Sequence, residues 1–124
     1  MNGYVTNIES QTLHNENFRK VLFTGAHEQL VVMSLKPDED IGEETHEVDQ
    51  FIRVEQGRGV VVMDGKPSDI EADSAFVIPS GTKHNVINKS HDEELKLYTV
   101  YSSPQHDDGA VHKTKAEAEK EEGH

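Results

Sequence analysis

Seven short segments rich in Val, Ile, Phe and Tyr constrain the fold of this chain most strongly. They are RKVLF, EQLVVMSL, DQFIRVEQ, GVVVM, SAFVIP, HNVIN and LKLYTVYS, and Gly, Pro, Asp and Asn separate them. This composition favours strands, and the closely spaced turns favour an all-β sandwich or barrel. No sustained 3.6-residue apolar repeat occurs between Val21 and Ser102, so we expect an antiparallel sheet without helical crossovers. Asp64-Gly65 predicts a type I′ hairpin turn after GVVVM.

The two ends of the chain are more polar than this middle region. The first residues are rich in Asn, Gln and Glu, and their few apolar side chains predict an arm rather than a core element. In the tail, Thr114 and Glu117 form a capping-box pattern before a run of Ala, Glu and Lys, which predicts a solvated, frayed helix. We therefore divide the chain into an arm (1–19), a barrel (20–103) and a C-terminal segment with an acidic helix (104–124).

Composition excludes several functional classes. The chain has 24 acidic and 12 basic residues and a net charge of -12, which argues against nucleic acid or an anionic membrane as a partner. It has no cysteine, which excludes disulfides, thiolate metal sites and thiol catalysis. We find no signal-peptide pattern and no run of 18 apolar residues, so we expect a cytoplasmic protein without a membrane span.

The stretch GEETHEVDQFIRVEQG, residues 42–57, places polar side chains within a run that otherwise predicts a strand. In an extended chain Glu44, His46 and Gln50 share one face. Three apolar side chains belong to the same face, namely Val48, Ile52 and Val54. Polar groups on an inward face need partners, which are water, neighbouring side chains or a metal ion.

A second histidine is expected beside the first. In IPSGTKH, Pro79 and Gly81 predict a tight connection that presents His84 at the start of the next strand. In a small antiparallel barrel, His84 and His46 then lie on neighbouring strands. Two imidazoles and one carboxylate are ligands that divalent Fe, Mn, Co, Ni and Zn favour, and this set is typical of non-haem iron sites. A plain buried polar network is the alternative.

The spacing of these residues resembles the two motifs of the cupin family. The first cupin motif is Gly, five residues, His-x-His, three or four residues, Glu, six residues, Gly. Gln50 and Gly57 fix its register here and place His46 at the second His and Glu44 at the first. The second motif matches DSAFVIPSGTKHNVIN at four positions and departs from it at Asp73, where the leading Gly is expected. The four matching positions are Pro79, Gly81, His84 and Asn88.

The chain departs from the first motif in a systematic way, because Glu44 replaces a His and Gln50 replaces the usual Glu. Two neutral imidazoles, one carboxylate and one amide still leave a formal charge of about +1 around a divalent cation, as three histidines and one glutamate do. The amide is the weaker donor. Gln50 is therefore a loose ligand, a group that hydrogen-bonds to a ligand, or a group that orients substrate.

The resemblance implies a double-stranded β-helix, the cupin jelly-roll barrel, which is often dimeric. It also implies a divalent metal ion (Fe, Mn, Ni, Co or Zn) held by Glu44, His46, Gln50 and His84. Glu44 and Gln50 would then lie near the reacting carbon of a small polar organic substrate, in a dioxygenase or in an isomerase of sugars or other hydroxy-carbonyl compounds. The alternatives are a non-catalytic cupin that binds a small molecule and a protein with a structural metal site. We expect a homodimer, because open sheet edges need covering.

Two further observations bear on the substrate. The cations near the two motifs are Arg53, Arg58 and Lys83, and Arg53 points away from the site by parity, which disfavours phosphorylated substrates. His106 and His112 follow the barrel, and a segment that folds back over the barrel mouth would bring either of them to the site.

Overall fold

The computed structural model describes residues 2–122, and the outermost residues of the predicted arm and C-terminal segment (1, 123 and 124) lie outside this part. Two helices and ten strands make up the fold. They are α1 (Ile8–His14), β1 (Arg19–Thr24), β2 (Gln29–Leu35), β3 (Glu44–Thr45), β4 (Asp49–Gln56), β5 (Arg58–Met63), β6 (Lys66–Glu71), β7 (Ala75–Ile78), β8 (Lys83–Asn88), β9 (Leu95–Ser102), β10 (Val111–His112) and α2 (Lys115–Glu122). Each of the seven predicted strand segments forms a strand.

The strands form two antiparallel sheets. The large sheet has the order β10-β1-β2-β9-β4-β7, and the small sheet has the order β3-β8-β5-β6. One hydrophobic core joins them, with Ile52 and Leu97 from the large sheet and Val61 and Val86 from the small one. Alternate residues of β4 and β8 are buried, as expected for sheets that each turn one face inward. The predicted all-β jelly-roll architecture is confirmed.

Two tight backbone positions fix the connections around β5. Asp64 and Gly65 have φ angles of 49° and 81°, so the β5–β6 hairpin has positive φ at both central residues, as the sequence predicts. Gly57 has a φ of 94°, and a Cβ atom there would lie 2.6 Å from the carbonyl oxygen of Glu94. This position of the first motif therefore requires glycine, both for its backbone angle and for the close approach.

Four elements lie outside the predicted set, namely α1, β3, β6 and β10. The strands β3 and β10 have only two residues each, and β6 is a largely exposed edge strand that contains Pro67. The helix α1 is capped by Asn7, whose side chain accepts a hydrogen bond from the Ser10 backbone N–H at 3.0 Å, and it buries Thr12. The N-terminal arm is therefore partly helical.

The C-terminal helix forms as the capping pattern predicts, with the backbone N–H of Glu117 donating to Thr114 Oγ1 at 3.2 Å. The prediction of a solvated, frayed helix is wrong on its inner side, because Ala118 is 2% exposed and belongs to the core. Lys115 Nζ also reaches Asp40 Oδ1 at 2.5 Å. Within residues 2–122, neither helix is long and apolar enough to cross a bilayer.

Candidate metal centre

The stretch from Gly42 to Gly57 crosses from one sheet to the other. The prediction of one continuous strand face is wrong, because the extended structure breaks between β3 and β4. Glu44 pairs with His84 in the small sheet, whereas Gln50 pairs with Ile78 and Tyr101 in the large sheet. Parity therefore does not relate Glu44 to Gln50, and the packing of the two sheets around one core accounts for their common inward placement.

Three of the four predicted ligands converge. One ligand atom from each of Glu44, His46 and His84 lies within 4.8 Å of the other two. The ring centroids of His46 and His84 are 5.4 Å apart, and His46 Nε2 is 3.6 Å from Glu44 Oε2. Ligand atoms about 2.1 Å from one ion are about 3.0–3.5 Å apart when adjacent and about 4.2 Å apart when opposite. The longest separation allowed in the cluster, 4.8 Å, is close to this spacing, so only a small inward shift of the side chains would be needed to hold an ion.

A backbone carbonyl fixes the tautomer of His84. Its Nδ1 lies 2.9 Å from the carbonyl oxygen of Thr82, and this oxygen can only accept a hydrogen bond. Nδ1 therefore carries the proton in the neutral ring, and the lone pair of Nε2 is available to a metal. A histidine oriented in this way is the usual arrangement around protein-bound metals.

The connection between the sheets holds His46. Its carbonyl oxygen accepts a hydrogen bond from the Gly81 backbone N–H at 2.8 Å, which ties the turn after β3 to the tight connection before β8. Its Nε2 is buried and has no hydrogen-bond partner among the described residues, although the side chain as a whole is 14% exposed. A buried ring nitrogen without a partner is costly unless something binds it, so this atom fits a metal ligand.

The surroundings of Glu44 favour the ionised form of its carboxyl group. Burial by itself raises the pKa of its carboxyl group. The close approach of the His46 ring, with smaller electrostatic contributions from Arg19 and His84, outweighs burial and holds this pKa below its ordinary value. The side chain is 25% exposed, so the cluster has a solvent-facing edge at Glu44.

Gln50, the fourth predicted ligand, is a buried residue of the large sheet. It is 3% exposed, and its Nε2 donates a hydrogen bond to Thr99 Oγ1 at 3.0 Å. This bond fixes the amide, and the carbonyl atom Oε1 is buried without a hydrogen-bond partner within residues 2–122. An unpartnered Oε1 is consistent with a ligand or with a group that orients substrate, and the role of Gln50 stays a prediction.

Of His106 and His112, both in the C-terminal segment, His106 approaches the cluster. His106 Nε2 lies 3.3 Å from the Tyr101 hydroxyl, and the edge of the Tyr101 ring contacts His46 at a centroid distance of 5.7 Å. His112 is also buried, and its Nε2 pairs with Oε2 of Glu121 in α2 at 2.7 Å.

Sequence reasoning missed Arg19, which is 2% exposed and close enough to lower the pKa of Glu44. The segment RKVLF indicates that Arg19 is buried, because Arg19 and the buried Val21 are two residues apart and share one face of the strand. Arg53, by contrast, points away from the cluster as predicted and pairs with the largely buried carboxylate of Glu55 and the exposed carboxylate of Asp73. Asn88 of the second motif is structural, because its amide donates to backbone carbonyls of Leu35, Lys36 and Glu93.

Comparison with known proteins agrees with the motifs. A family model described as a cupin domain matches residues 31–101. YrkC of Bacillus subtilis is 50% identical over 123 residues, which cover 93% of this chain and 65% of YrkC. L612 of Acanthamoeba polyphaga mimivirus is 44% identical over 113 residues, covering 87% of this chain and 70% of L612.

A solved structure shows the same fold over nearly the whole chain. The crystal structure of BH2720 from Bacillus halodurans superposes with a TM-score of 0.92 at 45% identity, and the match covers 96% of this chain and 95% of that one. This chain spans 65% of the length of YrkC and 70% of that of L612. With the family model matching more than half of its residues, the chain belongs to the cupin family.

Proposed function

We propose that this cupin binds one divalent metal ion through Glu44, His46 and His84 and uses it to act on a small polar organic molecule. The observation that carries the proposal is the convergence of these three donors within 4.8 Å. Two features make the cluster fit a cation better than a polar network alone. Thr82 fixes the tautomer of His84, and His46 Nε2 is buried without a hydrogen-bond partner in the described part of the chain.

The donor set limits the choice of metal. One carboxylate and two imidazoles suit Fe, Mn, Co, Ni or Zn in the divalent state. Such an ion, when bound, acts as a Lewis acid that polarises substrate oxygens and lowers the pKa of an adjacent proton. Glu44, with its lowered pKa, supplies the negative charge of the site at neutral pH.

The exposure of the cluster supports a catalytic site over a structural one. Structural sites are closed by four protein ligands, whereas catalytic sites keep a position for water or substrate. The side chains of Glu44 and His46 are 25% and 14% exposed, which provides an approach from solvent. We assign Gln50, in the large sheet, as the group that orients the substrate, since Thr99 holds its amide nitrogen.

Metal analysis of the purified protein is the first experiment. We expect close to one divalent ion per chain after purification from metal-replete medium. His46→Ala and His84→Ala should abolish retention, while His14→Ala, which changes an exposed histidine of α1, should not. Metal-free wild-type protein whose affinity for added metal is unchanged in both site variants would show that the assignment of the site is wrong.

Turnover is tested on protein loaded with Fe(II) or Mn(II). We expect either oxygen uptake or isomerisation with a panel of small hydroxy-carbonyl compounds and hydroxy acids, lost in Glu44→Ala and kept in His14→Ala. Retained metal with no turnover across the panel, but with saturable ligand binding, would favour a binding cupin over an enzyme.

A further inference from the structure

A buried glutamine holds the segment that carries His106. Gln29, in β2, is fully buried, and its Oε1 accepts hydrogen bonds from the backbone N–H groups of Gln105 and His106, each at 3.0 Å. Its Nε2 donates to the carbonyl oxygen of His106 at 2.8 Å and to Thr24 Oγ1 at 3.0 Å. One side chain thus binds both backbone polar groups of His106, which fixes where the imidazole is presented.

A chain of ring contacts leads from His106 to the metal cluster. The rings of His106 and Tyr101 pack edge to face with their centroids 5.2 Å apart. His106 Nε2 lies 3.3 Å from the Tyr101 hydroxyl oxygen. The Tyr101 ring in turn meets the ring of His46 edge to face at 5.7 Å. Tyr101 is 2% exposed and lies opposite Gln50 in the large sheet. A polar wall of Tyr101 and His106 therefore stands beside the candidate ligands.

The imidazole in this wall is uncharged at neutral pH. Burial, reinforced by the positive charge of Arg19, lowers the pKa of His106 to about 3. A neutral imidazole both donates and accepts hydrogen bonds, and so does a tyrosine hydroxyl. The pair is consequently suited to hydrogen-bond an oxygen atom and to hold it in one orientation.

We propose that Tyr101 and His106 contact the ligand of the metal site and that Gln29 acts as a positioning residue through His106. The ligand class is a small hydroxy acid or hydroxy-carbonyl compound, with one oxygen directed to the metal and another to the Tyr101 hydroxyl. This inference rests on the proposed metal site, and it adds residues from the large sheet and the C-terminal segment to that site.

The experiment uses the 124-residue chain loaded with Co(II), whose visible absorption reports ligands that bind the metal. Two probes are titrated: glycolate, which carries both kinds of oxygen, and azide, which needs only the metal. The variants are Tyr101→Phe, His106→Phe, His106→Gln and Gln29→Leu. The control is His91→Phe, which changes a histidine with 85% of its side chain exposed.

We expect the Tyr101→Phe and His106→Phe variants to bind glycolate about tenfold more weakly, the effect of losing one shielded hydrogen bond. Co(II) and azide affinities should change by less than about twofold, because neither residue is a metal ligand. His106→Gln should recover part of the glycolate affinity, and Gln29→Leu should lose part of it. A structural disturbance of the metal site would instead weaken azide and glycolate together.

Two results overturn the inference and are distinguishable. If wild-type protein takes up no Co(II), the metal site itself fails and the ligand-contact role fails with it. If Co(II) binds and glycolate binds equally well to wild-type, Tyr101→Phe and His106→Phe proteins, the metal site stands and the assignment of these two residues is wrong.

Discussion

The two sheets contribute different kinds of groups to the candidate metal centre. The small sheet supplies ionisable donors at a partly exposed edge, with Glu44 opposite His84 in register. The large sheet supplies neutral hydrogen-bonding side chains that are buried. Gln50, Thr99 and Tyr101 are at most 3% exposed. Charge is costly in a dry interior unless it is paired. If the proposed metal site is right, the small sheet would hold the ion and the large sheet would orient what binds to it.

The strongest test removes a donor from the small sheet. We expect His84→Ala to weaken metal binding by more than about 100-fold. Removing a residue that only hydrogen-bonds to a metal ligand already lowers metal affinity by about 10–100-fold. Competition with a chromophoric chelator measures the affinity. The matched change in the large sheet is Thr99→Val, which removes the support of Gln50 and should alter the affinity by less than about tenfold. Equal losses in the two variants would contradict the division between the sheets.

Much of this arrangement can be predicted from the sequence, and the part that cannot has a physical cause. The spacing of His46 and His84 places both in the site because local motifs determine short strands and tight turns. The position of Gln50 relative to Glu44 follows from the break between β3 and β4 and from how the sheets pack, which a parity argument within one strand cannot give. His106 depends on the contact between Gln29 and a segment 77 residues away in sequence, which leaves no local pattern.

A second test places a carboxylate at position 50 of the large sheet. Gln50→Glu restores the carboxylate that the cupin motif carries at this position. We expect tighter metal binding by about tenfold, because affinity rises with the charge of the ligand set. In metal-free protein the same change buries an additional ionisable group and should lower the free energy of unfolding by about 1–3 kcal/mol. Isothermal titration and thermal unfolding with and without metal measure the two effects.

Unchanged metal affinity in Gln50→Glu would show that position 50 does not face the ion. Gln50→Leu is the matched control, because it removes Oε1 without adding charge. It should leave metal affinity within about tenfold of wild type if Gln50 only orients the substrate.

A third test uses acid to probe the wall formed by Tyr101 and His106. The pKa of His106 is about 3 in the folded protein against an ordinary 6.5. Between these two values, His106 is protonated in the unfolded chain and neutral in the folded protein. The free energy of unfolding should therefore fall as pH decreases below about 6.5. Glu44 and Asp40, whose pKa values are lowered from 4.5 and 3.8, add to this loss only at lower pH.

Between about pH 6.5 and 5.5, above the range in which carboxyl groups of the unfolded chain take up protons, His106 is the main contributor among the groups with a shifted pKa. Denaturant unfolding of metal-free protein across this window should show a slope that is flatter in His106→Gln and unchanged in His27→Gln, which changes an exposed histidine. A slope that persists in His106→Gln would mean that the acid sensitivity originates elsewhere in the chain.

The smallest expected effect concerns the contact between helix α2 and the loop that precedes β3 of the small sheet. Lys115 of α2 pairs with Asp40 at 2.5 Å, and Asp40 accepts a hydrogen bond from Asn85 Nδ2 at 2.8 Å. Asn85 Oδ1 accepts from the Gly42 backbone N–H at 3.0 Å, two residues before Glu44. Because Asp40 is 37% exposed, we expect Lys115→Met to lower the free energy of unfolding by only about 0.5 kcal/mol, less at high salt.

Lys120→Met, on the exposed side of the same helix, is the control and should leave the free energy of unfolding unchanged. The informative readout of Lys115→Met is its metal affinity. Since Asn85 still holds both Asp40 and Gly42 in this variant, the loop before β3 should keep its position and metal binding should change by less than about twofold. A larger loss of affinity would show that α2, rather than the register of β3 on β8, positions Glu44, and that the small sheet requires the C-terminal helix to form the site.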